Sequence, residues 1–380
     1  MNVLYDYQTF QQKIGGVSNC FAELIRHLPS DIVANIATLE SDNIHLRDAG
    51  IIQGLPKEKL NVSNFLVDRH FPGKGTLFNF LNNHFDSFPS SEHINRKYSI
   101  EQLKEQKFDI FHPTFFDTYF LPYLGKKPFV LTIHDFITDK FHSPLEPQAV
   151  DRKILAGKAA HIVAVSEKTK EDAIDILKIP EDKISVVYHG VSVPDNLTCK
   201  RVVEGKYFLF VGRRSGYKNF APMVRAMAHF LTCHRDYKLV CTATPFTRDE
   251  LALFKKLNIA NQVQHIFASY EELLSLYKYA ESFIYPSLYE GFGIPILEAY
   301  AMGCPVMLNR TSCFPEIAGD AALYFDLDEG RDTFGELLNR FYDMSQEDKE
   351  HLLKKQEERL KLYSWEKSAA QLADIYRSIL

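Results

Sequence analysis

Short apolar runs recur along the chain, and stretches with helical periodicity, such as 17–28, 168–177 and 271–280, separate them. Most runs are continuous in aliphatic and aromatic residues, which is typical of strands buried on both faces of a parallel sheet. The alternation therefore predicts an α/β protein with parallel sheets flanked by helices. The predicted strands are residues 2–5, 32–38, 109–112, 129–133, 162–165, 185–188, 207–211, 238–242, 263–267, 282–285, 305–308 and 322–325.

The predicted strands form two series, which the segment 191–205 separates. This segment is polar and has no clear period, so it is predicted to link two domains. We expect Rossmann-like domains over 1–195 and 196–364 that face each other across a cleft, and the helix predicted for 365–380 is a candidate to pack back on the first. Residues 41–107 do not follow this alternation of strands and helices, so they are predicted to be an irregular insertion. The insertion is either a loop-rich cap or a surface that contacts an acceptor or a membrane.

Composition narrows the function classes. The 380 residues suit two or three domains at roughly 150 residues each. A net charge of −5 leaves no basic domain to drive nucleic-acid binding. No apolar run approaches the ~20 residues of a membrane span, and the N-terminus lacks the features of a signal peptide. We expect a cytoplasmic protein, with peripheral contact at the inner face of the membrane as an open alternative.

The cysteines do not form a recognisable metal-binding pattern. They are scattered and include no C-x-x-C pair; they are Cys20, Cys199, Cys233, Cys241, Cys304 and Cys313. Reduced thiols are therefore the simpler interpretation, and a zinc site or a disulfide framework is not expected.

The segment 285–307 has the order strand, glycine loop, helix, glycine stop, strand. Gly291 and Gly293 permit close backbone approach to a ligand, and the amides of residues 292–294 would begin the helix, where anions are favoured. Glu290 and Glu298 flank this anion site. Because carboxylates repel phosphate, we interpret both residues as hydrogen-bond acceptors for sugar hydroxyls. The alternative for Glu298 is an acid in the first helical turn that only complements the helix dipole.

Three cations follow the first strand of the second series. Arg213, Arg214 and Lys218 lie at a strand's C-terminal end, where open α/β sheets bind ligands. Guanidinium and ammonium groups together suit a diphosphate, and a solvated basic loop is the alternative.

The first domain contains two weaker signals. Gly15 and Gly16 separate the first strand from the first helix, which suits either phosphate contact or a tight turn. His134 and Asp135 follow the strand at 129–133, so His134 either hydrogen-bonds a substrate or is a structural histidine.

Together these segments resemble the retaining glycosyltransferases of GT-B architecture, specifically family 4. The matching segments are EGFGIPILE (290–298), VGRRSGYKN (211–219), IHD (133–135), VSE (165–167), HGV (189–191) and SCFPEIAGDAALYFD (312–326). Their order on two Rossmann-like halves makes the set specific. The resemblance covers nearly the whole chain and is weakest over 41–107, and His189 stands where many relatives have Asn.

The resemblance implies a role for each candidate residue. Glu298 would hydrogen-bond the donor ribose, and Glu290 would hold hydroxyls of the transferred sugar. The backbone of Phe292, Gly293 and Ile294 would assist Glu290. Arg213 or Arg214, with Lys218, would bind the diphosphate. The Gly16 amide would contact phosphate from the other domain, and His134 would lie near the donor sugar.

The resemblance also implies the reaction. A hexose, mannose being the narrower expectation, would pass from a nucleoside-diphosphate sugar to a glycan or lipid-linked acceptor by front-face substitution. No metal or other cofactor is expected, because Arg and Lys would neutralise the leaving diphosphate. The alternatives are a GT-B enzyme that epimerises or hydrolyses a nucleotide sugar, and a non-catalytic subunit that binds one.

Overall fold

The computed structural model describes residues 1–52, 71–84, 90–194, 196–214, 216–328 and 331–380. Its strands are β1 (Asn2–Tyr5), β2 (Val33–Ile36), β3 (Ile110–His112), β4 (Val130–Ile133), β5 (His161–Ala164), β6 (Ile184–Val186), β7 (Lys206–Phe210), β8 (Tyr237–Cys241), β9 (Val263–His265), β10 (Ser282–Tyr285), β11 (Val306–Asn309), β12 (Leu323–Phe325), β13 (Leu327–Asp328) and β14 (Arg331–Asp332).

The α-helices among these residues are α1 (Gly16–Arg26), α2 (Ile44–Asp48), α3 (Lys74–His84), α4 (Ser91–Glu105), α5 (Ile137–Phe141), α6 (Pro147–Lys158), α7 (Glu167–Leu177), α8 (Phe220–Cys233), α9 (Arg248–Lys256), α10 (Tyr270–Tyr279), α11 (Ile294–Ala301), α12 (Phe314–Ala318), α13 (Phe334–Tyr342), α14 (Gln346–Leu360) and α15 (Trp365–Ser378). Among the residues that the structure describes, no helix combines the length and the apolar composition that crossing a membrane would require.

The first half of the chain builds parallel sheets in the orders β2-β1-β3 and β4-β5-β6. A parallel bridge from Phe111 to Phe129 links the two sheets, so β3 and β4 are neighbours. Strands β3 and β4 are buried along their whole length, as continuous apolar runs predict. The loops that follow β1, β3 and β4 therefore lie along one edge of this layer, the edge where ligands of open sheets bind.

The second half forms one parallel sheet in the order β12-β11-β10-β7-β8-β9. Its order reverses around β7 and β10, so the loops that follow these two neighbouring strands diverge and leave a crevice. The loop after β7 contains Lys218, and the loop after β10 contains Glu290 and the two glycines. The two Rossmann-like halves confirm the predicted GT-B architecture.

The stretch 41–107 is more regular than predicted. Its described part contains α2, α3 and α4, whereas residues 53–70 and 85–89 lie outside the described residues. Helix α4 buries Asn95, Ser99 and Leu103, and two of these three are polar. The Asn95 amide binds the backbone of residues 39 and 40, and the Ser99 hydroxyl bonds that of Tyr119 at 2.7 Å. Hydrophobic periodicity could not reveal a helix whose buried face is hydrogen-bonded.

Helix α15 packs against the first half of the chain. Its Trp365, Leu372 and Tyr376 belong to the same core cluster as residues of β1 and α1. The Tyr376 hydroxyl bonds that of Tyr5 at 2.7 Å. Gly190 lies on the connection that leaves the first half, and Trp365 lies where the chain returns to it. These two places touch, since a Cβ at Gly190 would overlap the backbone nitrogen of Trp365. The chain therefore crosses between the halves twice, and the crossings meet at one point.

Candidate active site

The glycine loop between β10 and α11 touches the first half of the chain. A Cβ at Gly291 would overlap the carbonyl oxygen of His134. Gly293 has a φ of +98° at the N-cap of α11, a left-handed conformation that favours glycine. The close approach predicted for Gly291 is therefore an approach by the backbone of the first domain, which brings His134 to the start of α11.

Hydrogen bonds hold the loop against the first domain. The hydroxyls of Ser166 and Thr169 donate to the Gly291 carbonyl over 2.6 and 3.2 Å. The Tyr289 hydroxyl donates to the Asp172 carboxylate over 2.8 Å. The motif VSE (165–167) was recognised in the sequence as part of the resemblance. The motif did not indicate that this segment binds the glycine loop of the other domain.

Lys218 and Glu290 form an ion pair at the mouth of this loop. The Lys218 Nζ lies 2.6 Å from a Glu290 carboxylate oxygen, although 72 residues separate the two in sequence. Both side chains are largely buried, with 16% and 11% of their surfaces exposed. An ammonium has three donors and a carboxylate about four acceptor positions, so each retains capacity for further bonds.

Asp135 is a third ionisable group beside this pair. Burial raises its pKa, and the Ile137 amide, which donates to the carboxylate over 2.9 Å, opposes that rise. Glu290 raises and Lys218 lowers the same pKa, which indicates that both charges act on Asp135. The sequence placed Asp135 after a buried strand without giving it a role.

The two arginines after β7 have different surroundings. The Arg214 guanidinium is buried and binds Glu250 at 2.7 Å. It also donates to the carbonyls of residues 242, 244 and 245. Arg213, by contrast, is exposed. The structure therefore brings Arg214 into an internal network, and Arg213 is the one whose guanidinium faces outward.

Glu298 is a buried acid in α11, one turn beyond Pro295. Burial raises its pKa to about 7, and the Tyr277 hydroxyl, which donates over 3.3 Å, partly opposes that rise. Near neutral pH this carboxyl exists in both protonation states. When charged it accepts hydrogen bonds, as recognition of a diol requires.

His134 contributes a neutral imidazole. Burial lowers its pKa to about 4, so the ring is uncharged at neutral pH. Its Nε2 is buried and has no hydrogen-bond partner within the part of the chain that the structure describes. The ring packs edge-on against Phe21 of α1, at 5.8 Å between centroids. Gly16 begins that helix and is exposed, and a Cβ there would meet nothing within 4 Å.

A cavity of about 250 Å³ lies beside the loops that follow β1 and β3. Glu92 of α4 lines it, so the stretch 41–107 contributes to its wall. Its lining combines aromatic rings with planar polar groups and includes Tyr7, Gln8, Gln11, Phe115 and Asp117. No sequence motif pointed to these residues.

Two family models match the chain and together cover most of it. The model described as Glycosyltransferase Family 4 matches residues 14–194, and the model described as Glycosyl transferases group 1 matches residues 200–359. The boundary between them falls within the predicted linker.

Curated relatives and solved structures agree with these matches. The O-antigen chain mannosyltransferase RfbU of Salmonella typhimurium is 29% identical over 47% of this chain and 50% of its own length. The O-antigen chain mannosyltransferase B of Escherichia coli is 23% identical over 99% and 100%. The first curated relatives are matched over only half to two thirds of their length. The structure of HepE from Anabaena, in complex with UDP and glucose, superposes with a TM-score of 0.71 at 14% identity, over 100% of both chains.

Proposed function

The chain belongs to the group 1 glycosyltransferases of family 4, and on this premise we propose that it transfers a hexose from a nucleoside-diphosphate sugar to a glycan or lipid-linked acceptor with retention of configuration. The observation that carries this proposal is the Lys218–Glu290 ion pair at the start of α11, with His134 on the facing loop. A cation for the leaving diphosphate and an acid for the sugar thereby lie within one hydrogen bond of each other.

The charges around the loop suit a departing diphosphate. As the bond between the anomeric carbon and the diphosphate breaks, negative charge collects on the leaving oxygen. Lys218, the exposed Arg213 and the first amides of α11 are proposed to supply the positive charge at this point. Preorganised positive groups of this kind stabilise the transition state. With them in place, the proposed reaction uses no metal and no other cofactor.

The donor is proposed to lie along α11. Glu290 accepts hydrogen bonds from the sugar hydroxyls, assisted by the backbone of residues 292–294, and Glu298 accepts them from the ribose. The half-buried His134 ring, on the facing loop, bonds a sugar hydroxyl from the first domain. The Gly16 amide, in the exposed first residue of α1, contacts a phosphate oxygen.

The substitution is proposed to occur on one face of the sugar. The acceptor oxygen bonds to the anomeric carbon on the side from which the diphosphate leaves. A phosphate oxygen takes the acceptor's proton, so the diphosphate departs protonated and no carboxylate nucleophile is needed. The anomeric configuration is consequently retained.

The cavity beside β1 and β3 is the proposed acceptor site. The exposed ring of Phe115 packs against the C–H face of a sugar ring, while Gln8 and Asp117 offer hydrogen bonds to hydroxyls. Mannose is the proposed sugar because both O-antigen relatives are named mannosyltransferases. A lipid-linked acceptor would bring the protein to the cytoplasmic face of a membrane as a peripheral partner.

The proposal is tested by mutating the ion pair. Lys218→Ala and Glu290→Ala are each expected to lower kcat by about 100-fold to 1,000-fold, the range for loss of one group that stabilises transition-state charge. Lys278→Ala, an exposed lysine of the same domain, is the matched control and keeps wild-type rates. Circular dichroism verifies folding. Near-wild-type transfer in both site variants would refute the site.

Product analysis separates the alternatives. Nuclear magnetic resonance of the product reports the anomeric configuration, and inversion would contradict the retaining mechanism. Rapid turnover of the donor without acceptor would favour an epimerase or hydrolase. Thermal stabilisation by UDP-, GDP- and ADP-sugars identifies the donor. Stabilisation with no transfer to any glycan or lipid-linked acceptor would favour a non-catalytic subunit.

A further inference from the structure

A cluster of one thiol and two imidazoles lies behind the glycine loop. Cys20 belongs to α1, His134 follows β4 and His189 follows β6, so three separate elements contribute. One ligand atom of each residue lies within 4.8 Å of the other two. The Cys20 Sγ is 3.3 Å from the His189 Nδ1, and the two imidazole rings stack with centroids 5.7 Å apart.

We propose that Cys20, His134 and His189 form a binding site for a thiophilic divalent cation, with Zn²⁺ as the expected ion. Zinc binds thiolate sulfur and imidazole nitrogen at about 2.0–2.3 Å in a tetrahedron, whose edges are then about 3.3–3.6 Å. The edge from Cys20 to His189 already has this length. The other separations, of at most 4.8 Å, close with side-chain movements of about 1 Å.

A second observation supports a ligand at this position. The Nε2 of His134 is buried without a hydrogen-bond partner among the described residues, and buried polar atoms are normally satisfied. Cys20 and His189 are 1% and 5% exposed, whereas the His134 residue is half-buried, so an ion would enter past the His134 ring. Three protein ligands leave a fourth position for water, which is the arrangement of an accessible zinc site.

The surroundings are suited to holding the ligands in place. The His189 ring packs against Phe292 at 4.8 Å and against Trp365 at 5.6 Å, and the His134 ring packs against Phe21. Packing against rigid rings fixes the orientation of the imidazoles, as a metal site requires. The sequence did not predict this site, because residues 20, 134 and 189 form no local motif.

A bound ion would change the candidate active site. His134 is the residue proposed to contact the donor sugar, and the ion would occupy that part of the site. Metal and donor therefore compete, and Zn²⁺ inhibits transfer; this consequence rests on the proposed function, whereas the binding site itself does not.

The binding site is tested with Co²⁺ as the probe, in a protein in which the two less buried thiols are replaced (Cys199→Ser and Cys233→Ser). Co²⁺ bound through a thiolate gives a sulfur-to-metal charge-transfer band in the near ultraviolet, and Zn²⁺ displaces it. We expect this band in the background protein. Cys20→Ala is expected to abolish it and to weaken Zn²⁺ affinity by more than about 100-fold, the upper range for loss of a supporting partner alone.

Two further variants make the test decisive. Cys241→Ala removes another buried thiol and keeps the band. His189→Asn introduces a residue found in the resembling family, and is expected to weaken Zn²⁺ binding even if Cys20→Ala fails to fold. Absence of the band from the background protein, or its persistence in Cys20→Ala, would overturn the metal site. Nucleotide-sugar binding is measured on the same samples to separate the two proposals. Absence of metal binding alone rejects the metal site, and absence of nucleotide-sugar binding alone rejects the proposed function.

Discussion

Glu298→Gln is expected to change how the stability of the protein depends on pH. The carboxyl is buried, which raises its pKa from an ordinary value of 4.5 to about 7. The folded state therefore holds a proton that the unfolded chain has already released in this interval. By linkage, Glu298 lowers the free energy of unfolding as pH rises from 4.5 to 7, and the loss is complete above pH 7.

The size of the effect follows from the two pKa values. The difference between 4.5 and about 7 corresponds to about 3 kcal/mol at high pH. Part of this loss has already occurred at pH 5, so about 2.5 kcal/mol separates pH 5 from pH 8. Glutamine does not titrate, so any effect that it has on the free energy of unfolding, including that of an unsatisfied amide hydrogen, is the same at both pH values. This effect therefore cancels when the two pH values are compared. Wild type should therefore lose about 2.5 kcal/mol relative to Glu298→Gln over this range.

The measurement is urea unfolding of both proteins across this pH range, followed by circular dichroism. Glu271→Gln, which removes an exposed carboxyl from the adjacent helix α10, is the matched control. If the curves of wild type and Glu298→Gln run parallel from pH 5 to pH 8, Glu298 does not have a raised pKa and the argument from burial is wrong. The same variant should bind donor more weakly, so the acid would be retained for function at a cost in stability.

The remaining predictions concern the cations and the contact between the domains. Arg214→Ala should lower the free energy of unfolding by about 3 kcal/mol because it breaks a buried ion pair. Arg213→Ala should change the free energy of unfolding by no more than about 0.5 kcal/mol and lower kcat/KM about 100-fold. Urea unfolding and initial rates distinguish the two variants, and the reverse pattern would assign the diphosphate to Arg214. Gly291→Ala should cost about 1–3 kcal/mol and most of the activity, because its Cβ would overlap the His134 carbonyl, and unchanged activity and stability would mean that the loop and His134 do not touch. Tyr289→Phe should lower the free energy of unfolding by about 2 kcal/mol through loss of a hydrogen bond to a carboxylate, and an unchanged urea midpoint would contradict that bond.

The strands were predictable from the sequence, and so were the helices whose buried face is apolar, such as α1, α7, α10 and α15. All twelve predicted runs correspond to observed strands, and those at 2–5 and 282–285 match residue for residue. A strand buried on both faces must be apolar throughout, so its pattern is visible locally. Helix α4 was missed because its buried positions include Asn95 and Ser99, whose burial depends on partners far away in sequence.

The candidate site was predictable where backbone conformation or order along the chain determines it. The positive φ of residue 293 favours glycine, so this position was recognisable in the sequence. Glu290 and Glu298 lie on either side of it along the chain. What a side chain bonds across the fold was not predictable. Sequence could not distinguish Arg213 from Arg214, since the difference lies in Glu250 and in three carbonyls of another loop.

The contact between Gly190 and Trp365 limits how the two halves can move. Both connections between the halves pass through this one place, where no side chain fits between them. A rotation about that point leaves both connections at their present length, whereas sliding one half across the other would stretch them. Widening the crevice by such a rotation would displace loops far from the contact most and residues next to it, His189 among them, least.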